Sequence, residues 1–136
     1  MNYIPLVART FIAIIFLYSG VKKILNFSGT QQMMTDQGLP LVGMLLIGAI
    51  VFELLGAISL VLGYKTRWGS LLLIIFLIPS TIIFHNFLAD PTETISFLKN
   101  LAILGALLMV YYYGAGPVSL DTQTSSADNS RRSHEE

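Results

Sequence analysis

Four stretches of roughly twenty residues in this chain are almost free of charge, and each is long enough to cross a bilayer as a helix. The first runs from Ile4 to Val21 and is interrupted only by Arg9; the second runs from Leu41 to Leu62 and is interrupted only by Glu53. The third, Trp68 to Phe84, carries no charge, and its apolar character reaches on to Leu88. The fourth runs from about Phe97 to Tyr113, with Lys99 near its start. Barrel strands are about half as long and alternate polar with apolar, which none of these segments does. Only 12% of the 136 residues are charged. That is about half the share of a soluble domain, too little to face water on all sides. The first segment has no basic stretch before it, and Ser19-Gly20-Val21-Lys22-Lys23 resembles a helix end rather than a cleavage site. It is therefore read as a retained span, not a leader peptide.

The expected fold is all-α: an integral membrane four-helix up-down bundle with a disordered C-terminal tail. The membrane domain covers 1–117, with spans at about 4–23, 41–62, 68–88 and 97–113. Gly63-Tyr64-Lys65-Thr66-Arg67 makes a tight basic turn, and Asp90-Pro91 signals a turn before the fourth span. In the longer first link, Ser28-Gly29-Thr30 is placed to cap a short helix carrying Met33 and Met34, ended by Gly38 and Pro40. Residues 118–136 form a polar tail with no apolar anchor, the composition of disorder. Pro79 falls inside the third span, where neighbouring helices can tolerate it. With both termini cytoplasmic, the inner side holds Arg9, Lys65, Arg67, Arg131 and Arg132, and the outer side holds Lys22, Lys23 and Lys99. This excess inside sets the expected orientation. Tyr64, Trp68 and Tyr111-Tyr112-Tyr113 then fall on the inner boundary as an aromatic belt.

A charge inside a span is costly, so it faces the bundle and seeks a partner. Arg9 and Glu53 sit at similar depths measured from the ends of their apolar segments. Arg9, Ala13, Phe16, Gly20 and Lys23 share one helical stripe, as do Ala49, Glu53, Gly56, Leu60 and Gly63. A buried Arg9–Glu53 ion pair is the expectation. It either fastens two helices together or leaves Glu53 as a protonatable carboxylate facing a cavity. A second group, Lys22, Lys23, His85, Asn86, Lys99 and Asn100, gathers within about two turns of the outer boundary. These side chains suit an anion or a carbonyl, or else serve as snorkelling lysines and a capping histidine.

Several chemistries are excluded. The chain has no cysteine, which removes disulfides, thiolate iron–sulfur clusters and cysteine zinc sites. No metal site is expected. One membrane-embedded histidine cannot form a bis-histidine haem site within a single chain, and the dinucleotide glycine fingerprint is absent. No basic run invites nucleic acid.

The order of motifs resembles the DoxX family of small bacterial membrane proteins. The resemblance rests on Arg9 with Phe16 and Ser19-Gly20-Val21-Lys22-Lys23, then Gly38-Leu39-Pro40. It continues with Glu53-Leu54-Leu55-Gly56 and Leu62-Gly63-Tyr64-Lys65-Thr66-Arg67. It closes with His85-Asn86-Phe87, Phe97-Leu98-Lys99-Asn100-Leu101, and Gly116 with Ser119-Leu120-Asp121. It implies a four-helix protein of the bacterial inner membrane, in a family named for a subunit linked to an archaeal thiosulfate:quinone oxidoreductase. The family's recurring charged positions match Arg9, Glu53, His85 and Lys99.

Three functions follow as expectations. The first is a redox-linked subunit that handles a non-covalently bound quinone through His85 and Lys99; no cofactor is intrinsic to the chain. The second is an accessory subunit packed against partners in a membrane complex, or against copies of itself. The third is a small-solute or proton pathway that uses Glu53. An accessory or redox-linked subunit ranks first.

Overall fold

The computed structural model of the protein describes residues 2–85, 88 and 90–135. Among them are six α-helices and no strand: α1 (Ile4–Leu25), α2 (Phe27–Asp36), α3 (Val42–Leu62), α4 (Thr66–Phe84), α5 (Thr94–Tyr113) and α6 (Leu120–Glu135). A single 3-10 turn, Pro91–Glu93, leads into α5. Helices α1, α3 and α4, and α5 with its leading turn, are each long and apolar enough to span a membrane. The protein is an integral membrane four-helix bundle of up-down topology.

Each helix boundary has a local cause. Pro5 sits in the first turn of α1, where its missing N–H costs nothing, and Lys22 and Lys23 occupy the last turn, where the helix dipole favours cations. Gly63 ends α3 in the left-handed conformation (φ +65°), and Tyr64 N–H returns to Ser59 O at 3.2 Å. Helix α4 runs through Pro79 and ends at Phe84, short of the sequence-based reach to Leu88. Helix α2 begins at Phe27, directly after α1. Ser28-Gly29-Thr30 therefore forms its first turn rather than preceding it as a cap, and the Thr30 hydroxyl donates to Asn26 O at 2.9 Å. Met34 is buried against the bundle and Met33 is exposed.

Side-chain contacts give the register of the spans. A Cβ at Gly20 would lie 2.7 Å from Leu54, so residue 20 of α1 stands opposite residues 53–54 of α3. A Cβ at Gly56 would lie 2.6 Å from Leu73 and 3.0 Å from Gly69 O, so α3 and α4 touch at their glycines. Asn100 Nδ2 donates to Thr81 Oγ1 at 3.1 Å, which registers α5 on α4. Neighbours run antiparallel in the order α1, α3, α4, α5, and α1 meets α5 only sparsely. The core is Ala13, Phe16, Ala57, Leu60, Leu73, Ile74, Leu77 and Leu107. The lipid-facing sides carry large apolar residues instead. Burying them would gain nothing, because lipid tails are as apolar as leucine.

The polar tail beyond Asp121 packs against nothing, as its composition implies. Residues 120–135 form α6, yet every residue from Thr122 to His134 is exposed. The helix rests on local interactions. Ser119 Oγ accepts from Thr122 N–H at 3.1 Å, Asp121 lies in the first turn, and Arg132 pairs with Asp128 at 3.4 Å. Composition correctly excludes packing here, but it does not report these caps.

Candidate functional site

Two buried polar centres lie in the bundle, one towards each end. The first is at the end that carries the chain termini. Arg9 projects from the second turn of α1 and is only 2% exposed. One guanidinium nitrogen donates to Leu60 O at 2.8 Å and the other to Val118 O at 2.8 Å. Leu60 O is one of the carbonyls left over at the C-terminus of α3, so Arg9 caps that helix and meets the negative end of its dipole. Val118 is held at φ +57°, a costly conformation for a β-branched residue. The surrounding contacts over-determine this strap. Gly63 completes the packing, since a Cβ there would collide with Arg9 and Ser119.

Asp121 ties the same strap to α4. Its carboxylate accepts from Lys65 N–H at 2.7 Å and Thr66 N–H at 2.9 Å, and its own N–H donates to Gly63 O at 2.8 Å. Partial burial, the largest influence, works against ionisation. The N–H groups of Thr66 and Lys65 and the charge of Arg9 outweigh it and hold the carboxyl below its usual range. A carboxyl with a lowered folded pKa contributes stability in full above its unfolded value of about 3.9. That contribution is lost as pH falls through the lower folded value. Asp121→Ala should flatten this acid-side decline in unfolding titrations and cost roughly 0.5–2 kcal/mol at neutral pH, as the loss of other helix caps does.

The second centre corrects the expected Arg9–Glu53 pair. Glu53, on α3, is fully buried, and its Oε1 meets Lys23 Nζ at 2.6 Å. Lys23 also donates to Ser19 Oγ at 2.6 Å and lies 5.3 Å from the centre of the Phe76 ring. Glu53 Oε2 is buried and makes no hydrogen bond. The register explains the change of partner. Glu53 stands opposite Gly20, and residues 9 and 20 of one helix are about 16 Å apart. Helical side chains also lean towards the N-terminus. Arg9 therefore leans away from Glu53, and Lys23 leans down onto it. Lys23 was legible on the same α1 stripe as Arg9; the missing information was the helix register.

The expected outer cluster is only partly assembled. Lys23 turns inward, while Lys22 is exposed, with its Nζ 5.9 Å from the Tyr18 ring centre. His85 Nδ1 lies 2.7 Å from Glu93 Oε2, a partner that sequence reasoning missed. Asn100 is engaged with Thr81, and Lys99 is exposed. Asn86 lies outside the described residues. At the other end, Tyr64, Trp68 and Tyr111 to Tyr113 are all exposed.

The DoxX family model matches residues 4–86. The chain is 34% identical over 116 residues to the inner membrane protein YqjF of Escherichia coli, covering 85% of this chain and 88% of that protein. It is 36% identical over 121 residues to the inner membrane protein YphA of the same organism, covering 85% and 86%. A shorter likeness, 35% over 77 residues, reaches the ER-derived vesicles protein ERV29 of Saccharomyces cerevisiae, covering 53% of this chain and 25% of that protein. No solved structure matches. The family match covers more than half of the sequence, and both Escherichia coli relatives align along most of their length: the chain belongs to the DoxX family.

Proposed function

We propose that the protein is an accessory subunit of a quinone-linked redox complex in the bacterial inner membrane, with both termini cytoplasmic. The observation that carries this reading is the engagement of the groups best suited to hold a quinone carbonyl. His85 is taken up by Glu93 and Asn100 by Thr81, while Lys99 stands exposed. Polar groups paired across neighbouring elements in this way serve to fix the register of the helices. Chemistry then belongs to a partner, and any quinone sits non-covalently at that partner. The inner-membrane relatives support the location, and the excess of arginine and lysine at the terminal end supports the orientation.

Purification from native membranes in mild detergent tests the reading. The 15.0 kDa chain should migrate with other subunits. The quinone-reducing turnover of that assembly should survive His85→Ala and Lys99→Ala, yet fall when the whole chain is deleted. A chain recovered alone with a stoichiometric quinone that is lost in His85→Ala would overturn it. So would recovery purely as a homo-oligomer.

A further inference from the structure

We infer that Glu53 is a proton-binding site inside the membrane that communicates with one bilayer face only, through Lys23. The argument begins with an anomaly in where Lys23 points. A lysine two residues from the end of a spanning helix ordinarily snorkels to water. Lys23 instead sends its Nζ inward, to 2.6 Å from both Glu53 Oε1 and Ser19 Oγ, while its side chain keeps 22% exposure. Glu53 has no such outlet, because it is fully buried near the middle of α3. Its second oxygen is buried without a hydrogen bond, so the carboxylate is not fully compensated by its surroundings.

Glu53 has lost all contact with water while the Lys23 side chain keeps some, so the lysine can exchange protons with water and the carboxylate cannot do so directly. A proton can move along the 2.6 Å contact. One N–H bond of Nζ breaks, an O–H bond forms at Oε1, and no electron changes hands. The neutral amine is then free to turn to the boundary and take a proton from water, leaving Glu53 as the acid. The net change is transfer of one proton from the aqueous side to Glu53.

The opposite direction is closed. Towards the terminal end, the packed residues Ala13, Phe16, Ala57, Leu60 and Leu73 separate this centre from Arg9. The elements around Glu53 add no other titratable group among the described residues. Helix α1 supplies Lys23 and Ser19, α4 brings Phe76, and α2 buries only Thr30 and Met34. The centre therefore binds a proton without conducting it, unlike the transmembrane pathway expected for Glu53.

Infrared spectroscopy of the full chain in sealed liposomes tests this. After a pH drop, the protein should develop a carboxylic acid C=O band that shifts in D2O and is absent from Glu53→Gln. Arginine can hold the pair but cannot be deprotonated. Lys23→Arg should therefore keep the bundle folded and slow the rise of the band on the order of a hundredfold, the scale set by a positioned proton donor. The liposomes should keep an imposed pH gradient as long as protein-free ones. A band that rises equally fast in Lys23→Arg would refute the role of Lys23. A gradient that collapses faster than in empty vesicles would refute the one-sided site. A protein in which no Glu53 band ever forms would refute proton binding itself.

Discussion

Arg9→Ala should leave the four spans poorly assembled. Two main-chain carbonyls, Leu60 O and Val118 O, lose the donors that now sit 2.8 Å away. Leu60 O, left buried without a donor, costs about 1–3 kcal/mol, and the part-buried Val118 O costs less because water can reach it. Together they remove a large part of the roughly 5–15 kcal/mol that holds a typical domain. The C-terminal strap should loosen at Val118, leaving Asp121 at Gly63, Lys65 and Thr66 as its remaining tie. Arg9→Lys should recover only part of the loss, since one ammonium cannot reproduce a fork that serves two acceptors on different segments. Denaturant titration in detergent micelles measures both variants. An Arg9→Ala protein within about 1 kcal/mol of the parent would show that water replaces the guanidinium at both carbonyls.

Lys23→Leu should be the second large loss, on the order of 3 kcal/mol or more, because it strands a buried carboxylate. The two members of this pair are not equivalent. Glu53 has no exposed surface, whereas the Lys23 side chain keeps 22%. Deprived of its partner, lysine can turn to the membrane boundary; glutamate cannot. Glu53→Leu should therefore destabilise less than Lys23→Leu. The double variant should return close to the parent, as buried pairs replaced by apolar residues often do. Equal losses for the two single variants would show that Lys23 is as firmly confined as Glu53.

The transmembrane class and the number of spans were legible because hydrocarbon thickness imposes a length that a sequence displays directly. The stripe Arg9, Ala13, Phe16, Gly20 was legible for a similar reason: helical periodicity places these residues on one face, and all four are buried. Partner choice was not. The expected Arg9–Glu53 pair rested on depths counted from Ile4 and Leu62, and these are the helix ends. The two depths differ by four residues, about 6 Å, which is too far once the side chains lean apart. Side-chain direction, which separates Arg9 from Glu53 and delivers Lys23 to it, is not a property of spacing. Glu93 escaped notice because it lies on the short turn before α5, eight residues from His85, where no periodicity relates them. Asp121 belongs to a motif visible in the sequence, but its role as a cap on Lys65 and Thr66 needs the fold to bring those segments together.

The bond between Arg9 and Val118 joins residues 109 positions apart. During synthesis the first helix must enter the bilayer long before its carbonyl partner exists. Its guanidinium waits, provisionally solvated at the membrane surface, while three more hairpin-linked segments follow. Closure of this end of the bundle therefore waits until residue 118 has left the ribosome. A nascent chain stalled before that point would hold four inserted helices with an open, water-accessible mouth, a natural mark by which quality-control proteases could tell unfinished copies from finished ones.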